Sequence, residues 1–127
     1  MLTEDYVSYG VAKLLKEKGF DIPCKYAWHG GIKYPDFHRH SRNFNGGDYK
    51  DLRTKWYSAP THQMAMKWLR GNNIIIIPQP EYFSCDKCES WGIDIWAGDN
   101  YEKSLRGFPT YEEAVEAALK YSLENLI

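Results

Sequence analysis

The sequence has 127 residues, enough for one ordinary domain with a core of its own. Its hydrophobic content of 43% excludes a disordered tail, and its formal net charge of −1 provides no global attraction to nucleic acid or to a membrane surface. Three cysteines, an odd number, and an acidic N-terminus without the apolar region of a signal peptide lead us to expect a reduced, cytoplasmic protein without membrane contact.

The first predicted element is a helix that runs from about Thr3 to Lys18, with Thr3 capping its free N–H groups. Gly19 followed by Phe20 predicts a Schellman ending, in which Phe20 folds back on the last turn. Four aliphatic residues at helical spacing form the side that is predicted to be buried: Val7, Val11, Leu14 and Leu15.

The segment from Cys24 to Trp56 differs in composition from the rest of the chain. A β-hairpin is predicted around its start, with a strand over 22–28, a turn over 29–31 and a return strand over 32–34. The segment holds seven Lys and Arg residues against three Asp residues, and seven aromatic residues lie among them. Cations for phosphates and rings for base stacking are typical of single-strand nucleic-acid binders. The alternative is a solvated loop whose aromatic residues anchor it to the domain.

The same segment has few aliphatic residues, and a long loop with little structure of its own is usually either functional or disordered. Its aromatic content argues against disorder. We therefore predict an ordered contact surface to a second copy or to another partner, with these binding residues: Tyr34, Phe37, His38, Arg39, His40, Arg42, Tyr49 and Arg53.

The stretch over 56–83 is predicted to organise the fold. Residues 58–61 are of the types that start helices, and Gly71 is expected to end the helix with a positive φ. The four isoleucines at 74–77 predict a strand that is covered on both faces, and the two prolines that follow predict an edge. The apolar faces of this helix and strand, and of the strand and helix that follow, predict a core in which five residues are buried against one another: Trp68, Leu69, Ile75, Ile93 and Val115.

The C-terminal part predicts two strands and a helix. A polar turn over 84–90 leads to a strand over 91–96 that alternates apolar and polar residues, and a turn over 98–100 leads to a strand over 101–108. A Thr-x-x-Glu capping box at 110–113 starts the last helix. The predicted buried stripe of that helix consists of Tyr111, Ala114, Val115, Ala118, Leu119 and Leu126.

These elements predict the α+β class, with an antiparallel sheet of three or more strands and helices packed on one face. We expect a single domain over 1–127. Its first part, 1–57, would hold the N-terminal helix, the hairpin and the aromatic and basic loop. Its second part, 58–127, would be a helix-strand-strand-strand-helix unit.

Cys85 and Cys88 form a CxxC pair, a spacing that can chelate zinc, but a closed site needs two further ligands. The possible partners show no ligand spacing that points to the pair: Cys24, His29, His38, His40 and His62. We therefore predict no metal or other cofactor, with Cys85 and Cys88 as the weak metal candidates. A Cys/His hydrolase needs a nucleophile beside a base. Cys24 with His29 or His62 stays open for that role, and no catalytic residue is assigned.

Three stretches cover both ends and the centre of the chain: MLTEDYVSYGVAKLLKEKGFDIPC, YSAPTHQMAMKWLR and FPTYEEAVEAALKYSLENLI. In them the chain resembles a widespread uncharacterised family of small proteins from Bacteroides-type gut bacteria and their phages. The resemblance implies a phage or mobile-element context and brings no known activity, cofactor or catalytic residue.

The predicted element order from residue 58 onward is also similar to that of the double-stranded RNA-binding domain. That domain places a lysine cluster at the start of its last helix, where this chain has Thr110-Tyr111-Glu112-Glu113. Two carboxylates there would repel phosphate, so double-stranded RNA binding is not expected.

The sequence thus favours a binding protein over an enzyme. Aromatic residues make up 16% of the chain, and Tyr and Trp are favoured at interfaces. We expect a non-catalytic protein-interaction or regulatory accessory module that forms a homodimer or binds another protein. The alternative is a single-stranded nucleic-acid-binding protein that uses Cys24–Trp56, and a small Cys/His enzyme is the third possibility.

Overall fold

The computed structural model contains three helices and six strands in the residues that it describes, and the strands form two three-stranded antiparallel sheets. The architecture is therefore α+β, as predicted. The chain divides into two compact units, 1–64 and 65–127. No helix in the described part of the chain is long and apolar enough to cross a membrane. The structure describes these residues: 5–29, 32–35, 41–47, 55–84 and 87–127, with the backbone alone at 34–35, 82–84 and 87–89.

Helix α1 of the N-terminal unit spans Tyr9–Glu17. The prediction that it starts near Thr3 is wrong, since residues 5–8 are not helical and the N-cap is Ser8, whose Oγ accepts a hydrogen bond from the Val11 N–H at 3.2 Å. Thr3 itself lies outside the described residues.

The predicted Schellman ending of α1 is confirmed. Phe20 N–H donates to the Leu15 carbonyl at 2.9 Å, Gly19 N–H donates to the Lys16 carbonyl at 3.2 Å, and Gly19 has φ 90°. The turn buries Phe20 almost completely.

The sheet of the N-terminal unit has the strand order β2-β1-β3, and its strands are β1 (Tyr26–His29), β2 (Ile32–Pro35) and β3 (Trp56–Ser58). The β1–β2 pair confirms the predicted hairpin, although β1 begins later than expected. Cys24 instead forms an isolated bridge with Arg42. Strand β3 was not predicted, and it includes Ser58, which the sequence assigned to a helix start.

Helix α1 packs against β3, and the core of this unit collects residues from the helix, both flanks of the hairpin and the loop at 41–47. Lys16 is also buried. Its ammonium donates to the Trp56 carbonyl at 2.9 Å and lies 5.2 Å from the centroid of the Tyr57 ring. The buried apolar residues of the unit include Val7, Val11, Ala12, Leu15, Phe20, Cys24, Ala27, Phe44, Tyr57 and Ala59.

Helix α2 spans His62–Gly71 and is capped by Thr61, whose Oγ1 accepts from the Met64 N–H at 3.1 Å. The expected positive φ at Gly71 is wrong: the left-handed residue is Asn73, with φ 67°. Asn tolerates this conformation, and here its carbonyl also accepts from the Gly98 N–H at 2.8 Å.

The sheet of the C-terminal unit has the order β4-β5-β6, with β4 at Ile74–Ser84, β5 at Lys87–Ala97 and β6 at Asn100–Phe108. The predicted polar turn over 84–90 is wrong, because β4 and β5 stay paired out to Ser84 and Lys87. The expected strand over 101–108 is confirmed. Gly98, with φ 61°, opens the two-residue turn between β5 and β6, as in a type II′ turn.

Helix α3 (Tyr111–Asn125) packs on all three strands of this sheet. Thr110 caps it as predicted, accepting from the Glu113 N–H at 3.1 Å. Leu126 is only half-buried, and its expected place in the buried stripe is taken by Leu123 one turn earlier. The fully buried residues of the helix are Ala114, Val115, Ala118, Leu119, Ser122 and Leu123.

The run of four isoleucines is covered on one face only, so the prediction of two covered faces is wrong. Ile74 and Ile76 are buried, Ile75 is half-buried and Ile77 is 41% exposed. Of the predicted core, Leu69, Ile93 and Val115 are fully buried, whereas Trp68 and Ile75 are half-buried. Ile75 lies on the face of the strand opposite to its buried neighbours, since side chains alternate along a strand.

Candidate interaction surface

Most of the sequence-predicted binding residues lie outside the described residues: Phe37, His38, Arg39, His40, Tyr49 and Arg53, together with the side chain of Tyr34. The same holds for Cys85 and for the side chain of Cys88. Arg42 is described and half-buried, and its backbone exchanges two hydrogen bonds with Cys24 at 2.9 and 3.1 Å. The contact surface predicted on this segment therefore stays a prediction.

The described aromatic residues of the 24–56 segment pack within the N-terminal unit. The indole N–H of Trp28 donates to the Val7 carbonyl at 3.0 Å. Trp56 is stacked on His29 at 4.2 Å between ring centroids and on the buried Phe44 at 5.9 Å. Trp28, Phe44 and Trp56 thus anchor the segment to the N-terminal unit, as expected for the alternative of a solvated loop held by its aromatic residues.

Two side chains that the sequence did not assign to a site hold the loop at 41–47 on β3. Ser58 Oγ accepts from the Phe44 N–H at 2.9 Å, and Asn45 Oδ1 accepts from the Ser58 N–H at 2.9 Å. The amide of Asn45 donates in turn to the Phe20 carbonyl at 3.0 Å. Ser58 is fully buried, so this pairing satisfies backbone groups that would otherwise lack partners.

The thiol of Cys24 is buried and donates to the Ile22 carbonyl at 3.3 Å. Burial raises the pKa of Cys24 to about 12, outweighing a hydrogen bond with Ser58 that lowers it. Because the thiolate is the nucleophilic form, a pKa this high leaves the sulfur protonated at neutral pH. Within the described residues, no group of three or more His, Cys, Asp or Glu side chains could hold a metal ion.

The C-terminal sheet has a face that points away from α3. Ile93 and Ile95 of β5 are fully buried, so Asp94 and Trp96, which alternate with them, lie on the opposite face. Residues directly opposite in an antiparallel pair share a face, so the register sets most of this group, and Arg106 joins it through its contacts with Asp94 and Gly92. We call it the open face, and its residues are Ile75, Ile77, Gln79, Glu81, Ser90, Gly92, Asp94, Trp96, Tyr101, Ser104 and Arg106.

Asp94 is the polar centre of the open face. Its carboxylate accepts from the Gln79 amide at 3.0 Å, from the Tyr101 hydroxyl at 3.2 Å and from the Arg106 guanidinium at 3.0 Å. The partners come from both neighbouring strands. The carboxylate side chain is only 14% exposed, whereas that of Arg106 is 46% exposed. The network therefore holds four side chains together while the Arg106 side chain stays partly exposed to solvent.

Gly92 allows Arg106 to lie flat on the sheet. A Cβ at position 92 would clash with Nη1 of Arg106 and come within 2.8 Å of its Cδ. Farther along, the irregular pairing of β6 leaves the Gly107 N–H out of the ladder, and Glu81 from β4 accepts it at 2.9 Å. Gly107 has φ 80°, a conformation that suits glycine. Each strand thus contributes to a single polar arrangement.

The other end of the open face is apolar and aromatic. Trp96 and Tyr101 meet edge to face, with ring centroids 5.1 Å apart. Ile75 pairs directly with Trp96 in the register, and Ile77 follows it on the same face. Tyr101 is 51% exposed and Ile77 41% exposed, so this end presents large apolar groups to solvent.

Sequence reasoning did not identify the open face as a site. The signal it could have used is the alternation along β5, which puts Asp94 and Trp96 opposite the isoleucines. The partners of Asp94 lie 7, 12 and 15 residues away and depend on the register of two strand pairs.

No protein-family model, curated protein or solved structure matches the chain.

Proposed function

We propose that this protein is a non-catalytic protein-interaction module, and that the open face joins it to a second copy of the same chain. The observation that supports this most is the combination of exposed Ile77 and Tyr101, half-buried Trp96 and a fixed Asp94–Arg106 ion pair on one sheet face. Trp, Tyr and Arg dominate the binding energy of protein interfaces. Side chains that are already held in place also lose less entropy on binding.

The charges of the open face favour a protein over a nucleic acid. Arg106 is neutralised by Asp94, and Glu81 adds a further carboxylate. A strand of phosphates needs an excess of cations, and this face has none. Trp96 and Tyr101 meet at an interplanar angle of 75°, so they do not form a flat platform for successive bases.

A second copy suits this face because it carries both signs of charge. In a two-fold interface the same patch meets itself, so a guanidinium of one copy can reach a carboxylate of the other. The Arg106 side chain is partly exposed, and Glu81, which uses one carboxylate oxygen for the Gly107 N–H, is the acceptor that the face offers. The net charge of −1 adds little repulsion between copies.

A non-catalytic role is further supported by the protonated, buried thiol of Cys24, which is unsuited to nucleophilic attack. The phage or mobile-element context implied by the resemblance is consistent with a small accessory protein and is part of the proposal. Cytoplasmic localisation is likewise proposed from the sequence.

Sedimentation velocity over a dilution series tests the proposal. We expect a reversible monomer–dimer equilibrium that Ile77→Lys weakens by at least about tenfold, because the substitution puts an unpaired charge into the apolar end of the open face. Ile22→Lys is the matched control, since Ile22 is also 41% exposed and belongs to the other unit. A purely monomeric wild type, or equal weakening by the two substitutions, would overturn the proposal.

A further inference from the structure

The N-terminal unit contains a cavity of about 400 Å³ that is open to solvent on one side. Backbone hydrogen bonds hold its walls together: Ala59 N–H donates to the Tyr26 carbonyl at 2.9 Å, and Val7 N–H donates to the Pro60 carbonyl at 3.0 Å. The volume lies within the range of about 300–1,000 Å³ that is usual for small-molecule sites. A formed cavity of this size is suited to a compact organic molecule.

Most of the wall is apolar. Pro23, Ala59, Pro60 and Met64 supply aliphatic surface, and the Cys24 thiol adds a neutral sulfur. Ala59 and Pro60 are buried, so this part of the wall is anchored in the core of the unit. An apolar wall selects a ligand with a hydrocarbon body rather than a bare inorganic ion.

The charge at the cavity is positive. Lys25 is the one charged residue among the described residues that line it, and none of them is acidic. Lys33 does not line the cavity, and its ammonium lies 4.7 Å from the centroid of the ring of Tyr6, which does. Ser41 adds a hydroxyl to the lining. The polar side of the site therefore favours an anion.

We infer that this cavity binds a small organic monocarboxylate, with its hydrocarbon body on the apolar wall and its carboxylate at Lys25. Lys25 is the single cationic residue of the described lining, which matches one negative charge. A phosphate ester would call for a guanidinium fork or several cations, which the described lining does not contain. The site belongs to the N-terminal unit and does not depend on the proposed dimer.

Octanoate, used below its micellar concentration, is the probe, and amide NMR of ¹⁵N-labelled full-length protein is the readout. We expect saturable shifts at the amides of Lys25, Ala59, Thr61 and Met64. Octanol, which has the same chain without the charge, should bind about two- to fivefold more weakly, as should octanoate to Lys25→Met. Lys13→Met is the matched control, because Lys13 is an exposed lysine of the same unit that does not line the cavity.

Lys25 is exposed, so its substitution should leave the rest of the spectrum unchanged. The inference is overturned if octanoate gives no saturable shifts at these amides. It is also overturned if octanol or octylammonium binds as tightly as octanoate, or if Lys25→Met and Lys13→Met have the same effect. Binding in an Ile77→Lys background separates this result from the oligomeric state.

Discussion

Gly71→Ala tests the structural assignment of the end of α2. Gly71 lies in the last turn without a positive φ, and a Cβ added there would meet nothing within 4 Å. Alanine should therefore stabilise the folded state through helix propensity, by about 0.5 kcal/mol at this terminal position. With a urea slope of about 1–3 kcal/mol per M, the unfolding midpoint should rise by roughly 0.2–0.5 M.

A loss of stability in Gly71→Ala would contradict this assignment. If Gly71 were the left-handed residue, as its position in the sequence suggests, alanine would cost about 1–2 kcal/mol. Asn73→Ala is the complementary variant, because Asn73 has φ 67° and should lose stability where Gly71→Ala gains it. A destabilised Gly71→Ala together with a neutral Asn73→Ala would place the end of the helix at Gly71.

Three further predictions concern the N-terminal unit and the cysteines. Ser58→Ala should cost about 1–3 kcal/mol in chemical denaturation, since it leaves the Phe44 N–H without its buried acceptor, whereas Ser41→Ala at an exposed position should change stability by less than about 0.5 kcal/mol. The raised pKa of Cys24 means that the folded state holds the thiol proton more tightly than the unfolded state. The contribution of Cys24 to the free energy of unfolding is therefore fully present below pH 9.0 and is lost as the pH rises toward 12. Cys24→Ala should remove this part of the pH dependence of stability, and an unchanged pH dependence would contradict the assignment. Circular dichroism in a strong chelator should match that of untreated protein, whereas one tightly held zinc per chain that is lost in Cys85→Ser/Cys88→Ser would contradict the prediction of no metal.

Several local signals in the sequence predicted the fold correctly because each depends on a few neighbouring residues. The Gly19-Phe20 ending needs one left-handed residue and a nearby apolar contact. The cap at Thr110 needs one hydroxyl at the right spacing. The burial of Ile93 and Ile95 follows from strand alternation. These features are decided within one turn or one strand.

The errors arise where a second part of the chain decides the outcome. Ser58 was read as a helix start, but its hydroxyl is used by the loop at 41–47, which turns it into the end of a strand. Ile77 is exposed because α3 covers only one face of the sheet. Asn73 takes the left-handed position that the sequence suggested for Gly71. In each case the sequence indicated the local preference of the residue, but not the distant part of the chain that decides its conformation or burial.

The candidate surface was beyond prediction for the same reason. Asp94 gains its three partners from β4 and β6 only when both registers are known. The two bulges of β6 then decide which side chains reach it. An alternation pattern indicates which face is polar, but it does not indicate that Gln79, Tyr101 and Arg106 converge on one carboxylate.

Isotope-filtered NOE measurement on a dimer mixed from labelled and unlabelled chains shows whether the open face joins two copies. We predict intermolecular NOEs from the methyl groups of Ile77 and Ile75 to the aromatic protons of Trp96 and Tyr101 of the second copy. Intermolecular NOEs confined to residues of the N-terminal unit, such as Tyr34 and Phe37, would contradict it and would place the contact on the segment that the sequence first suggested.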